Sequence, residues 1–464
     1  MIFEPFTMKG VSFKNRILRS SIGGRTAYYD GTVSTAWKNF EKRFASNDVA
    51  GIISATIAID ESRWAPLEYP KIAHDRFIPP MREAIRQVKA YDCRYIMQLG
   101  DGGAHVQMGL FPQSADSKSS SRGLDLLYGY RSISSEMSTE DISQTISEFA
   151  QAARRVREIG CDGIEITASK GYLIHQFLNP GVNRRKDGYG GSVDKRFRLL
   201  REVINAVRGE VGDDYIVGVR ISAEDFNHLP LFNVRWPIVF PWRHHWRGNT
   251  LKETLHYAQE LEKLGVDYLH ISSGYGFINP KENPGAFPYK EVRMFASYTR
   301  HLSAKARVRS DVLNLMPEWL AHLTVGHGWK FEPGKHAEYG KKFKEVVKIP
   351  VIANAGFQDR DLIERVLTDG SCDLVSMARP LLANPDLVKQ YREGVRMPER
   401  PCTFCNRCAV RTAVFPLGCY DPSRFKSIAE MEAQILGWSA HPDEVVQEEA
   451  AAAAAAVPVG VTPN

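Results

Sequence analysis

Cys402, Cys405, Cys408 and Cys419 fall within eighteen residues, in the stretch PCTFCNRCAVRTAVFPLGC. Three thiols spaced two residues apart can turn inward on one tight loop. A fourth, further along, can close a cage around a cubane of iron and sulfide. The competing reading is structural zinc on the same four ligands. Zinc ribbons, however, bring two separated CxxC hooks together, whereas here three cysteines share one hook. A disulfide is the third reading. The iron-sulfur reading makes this a chain that moves electrons. Cys93, Cys161 and Cys372 sit singly among apolar neighbours and read as small buried residues.

Such a loop needs a scaffold. Eight short apolar runs recur along the chain: RILRSS from Arg16, VAGIISA from Val49, YIMQL from Tyr95, GIEIT from Gly163, YIVGVRIS from Tyr215, DYLHISS from Asp267, IPVIANA from Ile349 and DLVSMA from Asp373. Between them lie segments with helical spacing, such as TEDISQTISEFAQAARRVREIG and LKETLHYAQELEKLG. Strand and helix alternating eight times predict an α/β fold, a (β/α)8 TIM barrel. An open doubly wound sheet would call for an early GxGxxG between strand and helix, and none is present.

Residues 1–397 are read as the barrel, 398–425 as the four-cysteine loop and 426–464 as a C-terminal extension, partly disordered. Insertions near 227–249 and 279–348 interrupt the alternation after strands five and six, where a barrel places its active-site loops. The first insertion, with three tryptophans and three histidines, reads equally as a lid over a pocket or as a surface buried against a second subunit. His228, His244 and His245 are read as loop residues.

The 464 residues, 43% hydrophobic and 25% charged, suit a protein with a large core. A net charge of +6 spread along the chain does not point to nucleic acid. No apolar run is long enough to span a bilayer, and the amino terminus lacks the pattern of a secretory signal. A reducing cytoplasm is the expectation, and it suits unpaired thiols and an oxygen-sensitive cluster.

MQL at Met97, GYLIHQFLNPGVNRRKDGYGGS from Gly171, VRIS at Val219, IPVIANAGF at Ile349 and SMARPLLANPDL at Ser376 together resemble the old yellow enzyme family of flavin oxidoreductases. With the cysteine loop directly behind, the chain is most similar to the iron-sulfur branch that contains 2,4-dienoyl-CoA reductase and trimethylamine dehydrogenase. The resemblance covers about residues 1 to 425. It implies FMN at the C-terminal mouth of the barrel and a 4Fe-4S cluster on the four cysteines. Gln98 would meet the pyrimidine edge with an amide that both donates and accepts. Arg220 would lie beside N1 and the C2 carbonyl, where a fixed cation stabilises reduced flavin. Ala355, Gly356, Ala378 and Arg379 would hold the phosphate. Ser21, Ile22, Gly23 and Ala55 would line the ring. Without the resemblance, Arg220 and Arg379 read as salt bridges closing a barrel.

The chain departs from the family where substrate is held. In EITASKGY, Thr167 and Lys170 stand where many members carry a histidine and a histidine or asparagine, and Tyr172 lies two residues beyond. The resemblance implies Tyr172 as proton donor, acting while flavin N5 delivers hydride to an activated C=C bond. Lys170 would stabilise a developing enolate. A histidine that the branch uses after strand six is missing from SSGYGFINP, and Asp101 and Ala104 replace the usual histidine and arginine in QLGDGGAH. Arg25 and Lys170, after strands one and four, suggest an anionic substrate or a CoA thioester. Pairing with Asp101 and Glu61 is the bland alternative.

An amine or N-methyl dehydrogenase with Trp64, Tyr172, Tyr275 and Phe277 as an aromatic cage is the second enzyme reading. A non-catalytic electron-transfer subunit is the third. No Rossmann-type motif occurs, so electrons are expected to pass through a ferredoxin, an electron-transferring flavoprotein or a reductase, or to come from NAD(P)H as external donor. A homo-oligomer is expected, with no nucleic-acid or membrane partner.

Overall fold

The computed structural model describes residues 1–63, 68–108, 117–124, 133–227, 247–276, 279, 283–324 and 326–437. Trp64, Phe277, His228, His244, His245 and most of the 227–249 insertion lie outside the described residues.

Eight parallel strands close into a barrel in sequence order. They are β1 Ile17–Arg19, β2 Gly51–Ala58, β3 Arg94–Gly100, β4 Gly163–Ala168, β5 Ile216–Ser222, β6 Tyr268–Ser272, β7 Val351–Ala353 and β8 Leu374–Met377. All eight coincide with the apolar runs of the sequence. Strands buried on both faces carry no polar alternation, and here β2, β4, β5, β6, β7 and β8 are buried at every residue.

Helices cover the barrel with apolar stripes. α1 Thr35–Ala45 buries Trp37, Phe40 and Phe44. α2 Ile78–Lys89 buries Met81, Ile85 and Val88. α3 Thr139–Ile159 starts at a Ser138–Asp141 capping box and stops at Gly160, whose φ of 91° only glycine adopts without strain. Short α4 Leu173–Leu178 follows β4. It is succeeded by α5 Val193–Val211 and by α6 Leu251–Lys263, the latter started by a Thr250–Glu253 capping box.

The second insertion is a helical unit of α7 Tyr289–Tyr298, α8 Ala304–Leu315 and α9 Glu318–Leu323. Its own small core contains Phe287, Tyr289, Ala296, Leu313 and Ala321. The chain then re-enters the barrel ring through α10 Ala337–Lys344 and α11 Arg360–Thr368. Residues 428–436 form a helix in the C-terminal extension, and everything after 437 lies outside the described residues. Among the described residues no helix is long and apolar enough to cross a membrane.

Inside the barrel the side chains form layers. An antiparallel hairpin, Phe6–Met8 with Val11–Phe13, plugs the N-terminal end. Phe13 and Met8 pack there with Leu18, Ile53, Ile96, Ile216, Tyr268, Ile352 and Leu374. Two residues further along their strands stand Gln98, His270 and Ser376, and four residues past Ile216 stands Arg220, all at even spacing and hence on the same inward face. The apolar floor therefore carries a polar layer, and the polar layer faces the C-terminal mouth.

Candidate active site

A cavity of about 260 Å³ opens at that mouth. The loop after β1 supplies Ser21, Ile22 and Gly23, and β2 and β3 supply Thr56 and Gln98. Lys170 and Tyr172 come from the turn after β4, and Arg220 from β5. Ala355, Gly356, Ala378 and Arg379 come from the turns after β7 and β8. The cysteine loop closes the remaining side with Phe404, Asn406 and Cys408. The sequence motifs, scattered over almost four hundred residues, thus converge on one cavity. Ala55 and Thr167 are buried but do not line the cavity. Thr167 Oγ1 has no hydrogen-bond partner among the described residues.

Tyr172 is buried at 7% exposure and packs with Ala58 and Tyr69. Burial pushes its phenol far above the ordinary range, and neighbouring Tyr69 adds to the shift, so the hydroxyl stays protonated. Thr56 hydrogen-bonds the same hydroxyl. Tyr69 itself is pushed up to about 12 by burial. Lys170 stands in the left-handed region with φ 62°, a conformation that costs a non-glycine residue roughly 1–2 kcal/mol. Burial first, and then the guanidinium groups of Arg220 and Arg379, hold its ammonium well below the usual lysine range. Two guanidinium groups and the Lys170 amine thus face one cavity, a setting that favours an anionic occupant.

Gln98 Oε1 accepts from Ser21 Oγ at 3.0 Å and from Thr56, and Nε2 donates to Glu165 at 2.5 Å. Burial would raise the Glu165 pKa, but His270, Arg220 and Gln98 outweigh it and hold the carboxyl below the ordinary value. The His270 pKa is lowered as well, its imidazole kept neutral chiefly by burial.

The donor set fits a flavin phosphate and ring. Ala355 and Gly356 take consecutive positive φ values of 71° and 78°. A Cβ on Gly356 would lie 2.3 Å from the Glu332 carbonyl oxygen, so the close turn requires glycine. Arg379 lines the cavity and is fully engaged on its far side. It donates to Pro284 O at 2.9 Å and to Asn406 Oδ1, and its guanidinium lies 5.0 Å from the Phe404 ring centroid.

None of the four loop cysteines is in a disulfide, and every pair among them interacts electrostatically. Arg424 Nη1 donates to Cys419 Sγ at 3.1 Å, and the Phe404 N–H to Cys402 Sγ at 3.4 Å. Hydrogen bonds to sulfur suit a cluster more than an inert thiol. Among the described residues, no three His, Cys, Asp or Glu side chains reach metal-holding geometry. Only Cys408 borders the cavity.

One expectation is corrected. Arg25 does not project into the cavity. It donates to Glu68 at 2.9 Å and contacts the Ala413 and Val414 carbonyls, so it ties the first loop to the cysteine loop. Asp101 and Glu61 pair with Arg63 and Arg76 and are not the partners of Arg25 or Lys170. Sequence reasoning also passed over Thr56, Tyr69, His105, Asn354 and the Glu165–His270 pair. A charge within GIEIT and an imidazole within DYLHISS were the available signals, because apolar barrel strands seldom bury either without a partner. His105, a buried residue of the cavity wall, has its ring centroid 6.4 Å from that of Tyr172.

Comparison with known proteins gives a consistent picture. The model of the NADH:flavin oxidoreductase / NADH oxidase family matches residues 1–229 and 304–397. A metal reductase of Desulforamulus reducens is 29% identical over 408 residues, which cover 88% of this chain and 51% of the relative. An NADPH dehydrogenase of Geobacillus thermodenitrificans is 32% identical over 394 residues, covering 83% of this chain and 92% of the relative. The solved 2-naphthoyl-CoA reductase in complex with 2-naphthoyl-CoA shares the fold, with a TM-score of 0.70 at 20% identity, over 90% of this chain and 56% of that one. The chain spans about half the length of the curated relatives it matches first.

Proposed function

The chain belongs to the NADH:flavin oxidoreductase / NADH oxidase family, and on that premise we propose that it is an FMN- and 4Fe-4S-dependent oxidoreductase reducing an activated C=C bond. The observation that carries the reading is a protonated, buried phenol, Tyr172, on the same cavity wall as Gln98 and Arg220. Bound FMN supplies hydride transfer, and a cluster supplies single electrons.

The protein's own groups divide the remaining work. Gln98 and Arg220 hold the ring edge, with Ser21, Ile22 and Gly23 around it. Ala355, Gly356, Ala378 and Arg379 hold the phosphate. Cys402, Cys405, Cys408 and Cys419 hold the cluster. Tyr172 gives its Oη proton to one substrate carbon, which a phenol kept from ionising can do at neutral pH. Lys170 gains a proton as an anionic group arrives and holds the substrate carbonyl as negative charge develops.

A CoA thioester is the substrate class best supported. The fold neighbour was solved with 2-naphthoyl-CoA, and Arg220 and Arg379 line this cavity as cations beside the Lys170 amine. The same cations disfavour a methylated ammonium substrate. Electrons enter through the cysteine loop from a protein carrier such as a ferredoxin, or at the cavity from NAD(P)H.

Anaerobic purification with visible spectra and iron and sulfide analysis tests the cofactors. A screen of enones, enoyl- and aroyl-CoA thioesters and methylated amines then tests the chemistry. Flavin bands, iron with sulfide, and reoxidation of reduced protein by a CoA thioester are expected. Colourless protein, zinc in place of iron, or turnover of amines alone overturns the proposal.

A further inference from the structure

One buried carboxylate collects hydrogen bonds from three sides of the barrel directly below the cavity. Glu165 has no exposed surface. Its Oε1 accepts from Gln98 Nε2 at 2.5 Å, and its Oε2 from the Tyr268 hydroxyl at 3.0 Å and from His270 Nδ1 at 3.0 Å. Tyr268 reaches across because β5 carries Gly218 opposite it, where a Cβ would lie 2.0 Å from the phenol ring.

The direction of each bond follows from its partners. Ser273 Oγ meets His336 Nε2 at 2.9 Å, and His336 Nδ1 meets Asn354 Oδ1 at 2.5 Å, so that imidazole donates from Nδ1. Asn354 Nδ2 donates to His270 Nε2 at 3.1 Å, which leaves the His270 proton on Nδ1, pointing at Glu165. The row Ser273, His336, Asn354, His270 therefore runs one way and ends on the carboxylate. An amide, a phenol and an imidazole, all donors, converge on two oxygens. With the three donors on its oxygens, and with burial outweighed by His270 and Arg220, which hold the carboxyl below its ordinary range, the group is an anion.

Gln98 is oriented by the same contact. With its Nε2 committed to Glu165, its Oε1 is turned to the side of Ser21 and Thr56, which line the cavity. A ring edge that meets Gln98 must therefore offer it an N–H. We infer that Glu165 is a positioning residue that fixes the Gln98 amide and, as a permanent negative charge beneath the ring, lowers the reduction potential of the bound FMN against the pull of Arg220. The inference rests on the flavin reading above. It explains why a cationic mouth sits over a buried anion: the cations bind, while the anion keeps the reduced cofactor a strong donor.

The test is a spectroelectrochemical titration of FMN-loaded full-length protein at fixed pH. Glu165→Gln keeps the size and removes the charge. At a given potential its ratio of reduced to oxidised flavin is expected to rise at least tenfold, a positive shift of about 30 mV for a two-electron couple. Tyr268→Phe keeps the charge and removes one donor, so its potential is expected to move negative. An unchanged potential in Glu165→Gln overturns the inference, as do shifts of the same sign in both variants. Should Glu165→Gln fail to fold, the sign in Tyr268→Phe decides: negative supports, zero or positive overturns. Wild-type protein that takes up no FMN defeats the functional reading first. FMN-loaded wild type with a potential indifferent to these residues defeats this inference alone.

Discussion

Arg379 and Asn406 are joined side chain to side chain, and this contact makes the cavity wall and the cysteine loop one mechanical unit. Asn406 is buried at φ 59°, a left-handed position that asparagine tolerates better than most residues. Its amide nitrogen donates to the Asn283 and Ala286 carbonyls at 3.2 and 3.0 Å. One residue between Cys405 and Cys408 thereby fastens the thiol loop to both the barrel and the helical insertion.

Asn406→Ala should remove all of these contacts and leave buried groups unpaired, at roughly 1–3 kcal/mol per unsatisfied group. Asn406→Asp should keep the acceptor for Arg379 and lose the two donations. Thermal unfolding together with iron content per chain checks this. Both quantities should fall furthest in the alanine variant.

Tyr172→Phe removes the proposed proton donor and little volume. Turnover of an activated alkene should fall about 10²- to 10⁴-fold, the usual worth of a positioned general acid. Flavin reduction by NAD(P)H or dithionite should be almost unchanged. Stopped-flow measurement of the two half-reactions separates these outcomes, and equal losses in both would point to a packing role.

Lys170 gives a pH dependence with a definite sign. Burial, Arg220 and Arg379 depress its folded-state pKa below the ordinary lysine value of 10.5. Below the folded value both states carry the proton, and the folded state bears the whole cost of a buried ammonium. Between the two values the unfolded chain binds more protons, so this contribution to stability rises with pH until it is complete above 10.5. Cofactor-free Lys170→Met should therefore be more stable than wild type at low pH, the gap closing as pH climbs toward 10.5. Unfolding midpoints measured for both proteins across that range check it. A gap that widens with pH contradicts the assignment.

Gly285 permits the closest backbone approach between the helical insertion and the cysteine loop. A Cβ there would lie 1.9 Å from the Phe404 carbonyl oxygen, at φ 137°. Gly285→Ala should cost about 1–3 kcal/mol in overpacking beyond its backbone strain. Gly394→Ala is the control, because φ 91° strains it while no neighbour lies within 4 Å. Denaturant unfolding should rank Gly285→Ala as the more damaging, with loss of iron in that variant only.

The barrel was legible in the sequence because its strands are covered on both faces. Each reads as a short apolar run, and all eight runs are strands of one closed sheet. The grouping of the cysteines was legible because their spacing is local. The reading of Arg25 failed on a partner: it assigned the guanidinium a direction from its place after strand one, but Glu68 takes it away from the cavity. His270 was not legible as a site residue because the resemblance implies a histidine after strand six, while this imidazole stands inside the strand.

Residue types and short-range spacing thus determined the strand count and the thiol loop, both properties carried by neighbours along the chain, while the side chains expected around the mouth came from the family resemblance. Tertiary structure alone decided which of those side chains touch. Gln98 meets Glu165 across 67 residues, and Tyr268 meets it across 103. Barrel closure, with the gap left by Gly218, brings them within hydrogen-bond length, and no periodicity along the chain encodes a distance of that kind.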